Sequence, residues 1–310
     1  MVVPRKLMKR TWTQSENAAL ARLFSSSVVR ELAHRGCSPL AGRLLYEAGL
    51  TNSLGDICTV RELFDWAYSI LQIRGNRHEY IYKNAIAQKV LLGVHSLNTS
   101  CMLSEFRAGG CKADVVILNG TSAVYEIKSE RDTLDRLEKQ LCEYLRIFDR
   151  IQVITTESHI STLERSIPQS VGIQVLTDRF HISDYRLPAS NAANVCPDQV
   201  FESLQRTEYL AILGRYGIAV PVVSNTRVHA VAKALFASLT PEQAHQGMVD
   251  VLKSTRNPIV LREFIRSVPD SLKAAAISVP LTSGERSRFL DVLDTELEAV
   301  LKGVGGQQYA

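Results

Sequence analysis

The chain has 310 residues, 45% of them hydrophobic and 22% charged, with a net charge of +4. This is the composition of an ordinary soluble globular protein of two domains, or of one core with additions. No run of eighteen apolar residues occurs, which excludes a transmembrane helix, and the mild positive charge is compatible with nucleic-acid binding without indicating it.

The basic start, MVVPRKLMKR, lacks the apolar centre of a signal peptide and reads as a leader over residues 1–11. The six cysteines form no CxxC or Cys/His cluster, so they read as reduced thiols of a cytoplasmic protein. Thr13-Gln14-Ser15-Glu16 and Thr59-Val60-Arg61-Glu62 are capping boxes that open helices. Residues 1–75 are therefore expected to form a helical N-terminal lobe, interrupted near Gly36 and Gly55. Arg77–Leu92 reads as a further helix whose apolar face also carries Glu79 and Lys83. Three strands follow, Met102–Arg107, Lys112–Leu118 and Ser122–Lys128, turned at Gly109-Gly110 and Asn119-Gly120. Asp132–Phe148 is a helix with a leucine stripe, 150–155 and 171–176 are strands, and 158–166 is a helix between them. The order implies a mixed sheet covered by helices, over residues 76–186.

The stretch 187–198 (LPASNAANVCPD) breaks the pattern and reads as a linker. Residues 199–310 read as a helical C-terminal domain, with a capping box at Thr240-Pro241-Glu242-Gln243 and a C-cap at Gly303.

The chemistry concentrates on the second and third strands. Asp114 lies near the start of one, and Glu126 and Lys128 lie two apart on the next, so they share a side. Val115 to Leu118 is a continuous apolar run, as expected of a strand buried on both faces, and charges at the ends of such strands need partners or a metal. Hydrolysis of a phosphodiester needs a nucleophilic water and neutralised phosphate oxygens, and a carboxylate-held Mg²⁺ (or Mn²⁺) supplies both. In that reading Asp114, Glu126 and the backbone carbonyl of Ile127 hold the metal. Lys128 orients the water or stabilises the anionic transition state; neighbouring carboxylates favour its charged form, hence an electrostatic role over that of a general base. The competing reading is a solvated hairpin with a surface Glu–Lys pair.

Asp114, eleven residues and then Glu126-Ile127-Lys128 resembles the signature of the PD-(D/E)xK nuclease superfamily. The order helix, three strands, helix, strand is similar to its restriction-endonuclease-like core, an α-β-β-β-α-β mixed sheet flanked by helices. The resemblance covers residues 77–177. It implies that Glu79 is an additional metal-binding acid. Gln140 and Tyr144 match the QxxxY pattern of the RecB-like and lambda-exonuclease-like branch, which implies a role in holding substrate or organising the site. Two positions depart from the pattern. Ala113 stands in place of the nominal proline, and Gly110 lies four residues before Asp114 rather than three.

Lys83, Arg107, Lys112, Ser129 and Arg131 lie close enough to the motif to hold phosphates, against a simpler reading as solvated side chains. For Glu79 and Lys83 the simpler reading is an i,i+4 salt bridge. The seven histidines are dispersed, and neither a Walker A loop nor GxGxxG is present.

The expected function is a Mg²⁺-dependent deoxyribonuclease serving phage defence, mobile-element conflict or DNA processing. The alternative is a catalytically inactive nuclease-fold module that binds nucleic acid or a protein partner. A third possibility gives the C-terminal helical domain a protein partner of its own.

Overall fold

The computed structural model describes residues 10–94, 99–256 and 261–301. These fall into two compact units. One takes the residues up to Gln88 together with those from Leu261 onward; the other runs from Lys89 to Arg256.

The first unit is helical. Both expected N-terminal capping boxes are present, at Thr13 and Thr59, and Gly36 ends the second helix in the left-handed conformation (φ 75°). Helix Ser283–Leu293 packs on Ser26–Arg35, the Leu297 amide donates to the Cys58 carbonyl at 2.8 Å, and Arg61 pairs with Asp294. The division therefore differs from the expected four parts, because residues 261–301 group with the N-terminal helices in one unit. Short amphipathic helices find their core where complementary apolar faces exist, whatever the separation along the chain. Gly303 and the first nine residues lie outside the described residues.

The second unit is α/β, a six-stranded mixed sheet flanked by helices. The strands are β1 (Cys101–Ala108), β2 (Cys111–Leu118), β3 (Ser122–Ile127), β4 (Arg150–Thr155), β5 (Gly172–Leu176) and β6 (Ile182–Arg186), and they lie side by side in chain order. β1 to β3 form an antiparallel meander, β3 to β5 are parallel, and β6 returns antiparallel. Helix Leu137–Leu145 and those between Pro197 and Thr255 share one apolar core with the sheet.

Several expected elements are shorter or broken. The helix expected from Asp132 begins at Leu137, because the Asp132 carboxylate is taken by the Ser129 amide and hydroxyl at 2.8 and 2.6 Å, which forms a turn instead. The helical C-terminal part opens with two short helices, Pro197–Glu202 and Arg206–Arg215, because Gln205 and Glu208 form a new N-terminal cap. The helix expected over 77–92 is α only from Glu79 to Ala85 and continues as a π-helix, Ile86–Leu91.

Residues 187–192 are a strap bound to the sheet rather than a free linker. Ser190 Oγ and the amides of Asn191 and Ala192 all donate to Asp149 Oδ1, at 2.7 to 2.9 Å, while Thr121 Oγ1 donates to Oδ2. The Asn191 side chain donates to the carbonyls of Leu145 and Phe148, which the preceding helix leaves without partners. The polar residues that suggested a linker are thus consumed in tying the strap down. Burial opposes the Asp149 charge, but the donors from Ser190, Thr121, Asn191 and Ala192 outweigh it and bring the carboxyl down to about 2.

A carboxyl depressed on folding stabilises the fold above its unfolded value of about 3.9, and this is lost as pH falls through the folded value. Asp149→Asn should therefore cost about 2 kcal/mol at neutral pH. Urea unfolding at stepped pH should show the gap between variant and wild type closing from about pH 4 to pH 2; a gap independent of pH would contradict this role.

Candidate functional site

The site begins where β2 leaves β3. Their ladder pairs Leu118 with Ser122 through Val115 with Tyr125 and then stops. The Ile127 amide, which has passed the end of that ladder, donates at 2.8 Å to Asp114 Oδ2. A side-chain carboxylate thus replaces a strand carbonyl, as a buried amide requires. On the other side β1 and β2 keep their register but skip the pair Glu105–Asp114. Glu105 has φ 54°, rare for a residue with a side chain. Around this pair both strands change which residues reach the shared core: β1 contributes Cys101 and Leu103, then Phe106 and Ala108, and β2 contributes Ala113, then Val116 and Leu118. The kink leaves Glu105 and Asp114 with carboxylate oxygens within 4.8 Å of each other.

Glu126 and Lys128 lie two apart at the end of β3 and point to the side of helix Leu137–Leu145. They are 1% and 6% exposed. Lys128 Nζ donates to Glu126 Oε1 at 2.8 Å and to Gln140 Oε1 at 3.0 Å. The Tyr144 hydroxyl donates to Glu126 Oε2 at 2.7 Å and also lies 3.0 Å from the Lys112 carbonyl. With one proton to give, it favours the charged acceptor. Gln140 and Tyr144 are four apart, so a single helix face delivers both. Burial first, then the charges of Glu126 and Asp114, holds the Tyr144 phenol well above its usual range, so it remains a donor. The backbone beneath is fixed too, since the Lys128 amide donates to the Ile154 carbonyl and Thr155 Oγ1 to the Lys128 carbonyl.

The residues singled out in the sequence therefore divide. Asp114, Glu126, Ile127, Lys128, Gln140 and Tyr144 lie in one hydrogen-bonded neighbourhood at the parted end of β3. Ser129 is buried beside it, but its hydroxyl proton goes to Asp132, which makes it a turn residue rather than a phosphate donor. Arg107 and Lys112 are exposed on β1 and β2. Glu79 and Lys83 belong to the helical unit, where they form the i,i+4 pair at 2.5 Å. Glu105 escaped the sequence reading. Its signal was available, since a tight turn at Gly109-Gly110 sets Glu105 directly across from Asp114.

The model of the family described as bacteriophage P4 protein cII matches residues 73–274, which include every site residue above. The chain belongs to this family. Protein cII of Enterobacteria phage P4 is 27% identical over 192 residues, covering 61% of this chain and 70% of the phage protein. Among solved structures, the SPO1766 protein of unknown function from Silicibacter pomeroyi aligns with 46% of this chain and 93% of its own, at 17% identity and a TM-score of 0.30.

Removing one member of a buried ion pair leaves an uncompensated charge and costs about 3–5 kcal/mol, whereas replacing both with apolar groups is often neutral. Lys128→Met should fall in that range by urea unfolding in EDTA, and Glu126→Leu/Lys128→Met should recover most of the loss. A double variant no more stable than Lys128→Met would show that the two charges are not coupled.

Proposed function

We propose that the sheet-bearing unit is a metal-dependent nuclease that hydrolyses phosphodiester bonds of DNA, on a restriction-endonuclease-like core of the PD-(D/E)xK type. The observation that carries this reading is the network of Glu126, Lys128, Gln140 and Tyr144. A buried lysine amine is held by a carboxylate and an amide, beside a second carboxylate, at a strand end that has parted from its neighbour. The α-β-β-β-α-β order and the direction of each strand through β4 support the same core.

The donors present are hard oxygens, which suit Mg²⁺ or Mn²⁺. Asp114, Glu126 and the Ile127 carbonyl would hold the ion, and Glu105 is the further acid at hand, its oxygen being close enough to that of Asp114 for one cation to bridge them. Such an ion supplies a more acidic bound water and takes up charge on the phosphate. Lys128 presents a fixed positive charge to the developing oxyanion, Gln140 keeps the amine aimed, and Tyr144 keeps the Glu126 carboxylate from turning. The family takes its description from a bacteriophage protein, which favours a setting in phage or mobile-element DNA metabolism.

One observation favours the second reading, a module that binds nucleic acid without cutting it. Both Glu126 oxygens already accept hydrogen bonds, so the network is also satisfied as a purely structural one. Cleavage assays separate the two. Purified protein with millimolar Mg²⁺ or Mn²⁺ should cut linear or single-stranded DNA, and EDTA should abolish this. Asp114→Asn and Lys128→Ala should lower the rate by about 10²–10³-fold, and Gln140→Leu and Tyr144→Phe by about 10–100-fold. Equal cleavage by wild type and Lys128→Ala would overturn the mechanism, and salt-sensitive binding with no cutting under either metal would select the binding module.

A further inference from the structure

We propose that Arg107 and Lys112 form a subsite for the phosphate adjacent to the scissile one, so that a DNA strand runs from the acidic pair along the β1–β2 hairpin towards its Gly109-Gly110 turn. The proposal rests on the nuclease reading above and adds to it where the rest of the substrate lies.

Register carries the argument. Arg107 and Lys112 are direct cross-strand partners on β1 and β2. Each lies two residues beyond a member of the acidic pair, Arg107 beyond Glu105 and Lys112 beyond Asp114. Phe106 and Ala113, which lie between acid and base on their strands, both face the core, so beyond the kink each acid and its base lie on one side, about 6.5 Å apart. That step is close to the separation of neighbouring phosphates on one nucleic-acid strand. An acid pair suited to a cation is therefore followed, one phosphate further along, by a base pair suited to an anion.

The base pair is also unexplained by the fold. Like charges directly opposite each other in an antiparallel ladder are destabilising. Both side chains are exposed, and neither has a hydrogen-bond or ion-pair partner among the described residues. The Arg107 charge is felt at Glu202, but that carboxylate is already bound by Lys233 at 2.7 Å. Arg136 and Lys139, exposed at the start of the following helix, add positive charge at the same end, since both act on the neighbouring Cys111 thiol. Glu143 opposes them there, with its carboxylate folded over Gly109. A phosphate bridging Arg107 and Lys112 would turn a repulsive pair into a favourable one.

The test compares wild type with Arg107→Gln/Lys112→Gln on two substrates. Thymidine 5′-(p-nitrophenyl phosphate) carries one phosphodiester, and a fluorescent oligodeoxynucleotide carries many. The variant should hydrolyse the small substrate at the wild-type rate. On the oligonucleotide its KM should rise about tenfold with kcat held within about twofold, the pattern of lost uniform binding. By anisotropy in EDTA, the slope of log affinity against log salt should become shallower by about 1, one phosphate contact. Thermal unfolding should be unchanged or slightly raised, which separates the effect from misfolding. If wild type cuts DNA and the variant matches it in KM and salt slope, the subsite is overturned and the nuclease reading stands. If wild type neither cuts nor binds DNA, that reading falls and takes the subsite with it.

Discussion

The Glu126–Lys128 pair sits almost wholly out of water, where two unit charges persist only if each finds polar partners beyond the other. The partners are specific. Lys128 gives further hydrogens to Gln140 Oε1 and Glu126 takes one from Tyr144, while the backbone of Lys128 is pinned by Ile154 and Thr155 on both its donor and acceptor sides. That requirement determines much around it. Helix Leu137–Leu145 must present Gln140 and Tyr144 to the sheet while Leu137 and Leu141 enter the core. β4 must run parallel to β3 and close enough to hold its last residues. An apolar pair would be cheaper to bury, so the polar arrangement is retained at a thermodynamic cost for which specificity of geometry, or chemistry, is the physical return.

The parting of β2 from β3 is the second constraint, and it follows from Asp114. A strand end whose amide is bound by a carboxylate cannot continue an ordinary ladder, and the other neighbour, β1, answers with a left-handed residue at Glu105. The result is a kink shared by two strands that keeps their register, so the apolar residues on both sides of it still reach the same core. Sheets rarely carry a positive φ on a glutamate, and such strain persists where the surroundings enforce it. Here the enforcement comes from packing on both sides: Phe106 and Ala113 beyond the kink, Leu103 and Val116 before it.

The parts of this arrangement that local rules control were legible in the sequence. Turn chemistry at Gly109-Gly110 and Asn119-Gly120 fixed the meander, capping boxes fixed helix starts at Thr13, Thr59 and Thr240, and period-two spacing put Glu126 and Lys128 on one side. The i,i+4 spacing of Gln140 and Tyr144 placed them on one helix face, although nothing local says that this face meets Glu126 and Lys128. What was not legible depends on contacts between distant segments. Residues 187–192 look like a linker until Asp149 is seen to gather three of their donors. The C-terminal helices look like part of a neighbouring domain until Phe289, Val292 and Leu293 are seen buried with the N-terminal ones. Glu105 is a mixed case: the Gly109-Gly110 turn sets it directly across from Asp114, whereas the left-handed backbone that kinks both strands there is not announced by residue type.

The hydrogen bonds that close the network do not close it to a ligand. A carboxylate offers about four lone-pair positions, and each Glu126 oxygen is shown with one donor. Asp114 shares Oδ2 with the Ile127 amide in the same way. Donors placed on one side of a carboxylate restrict its rotation and leave its remaining lone pairs with a defined direction, which is how metal-binding acids are commonly held. Tyr144 suits that task because burial and the surrounding carboxylates keep its proton in place. The same hydrogen bonds that make the buried pair tolerable without a metal would therefore orient it for one, with the carboxylates of Glu105 and Asp114 close by.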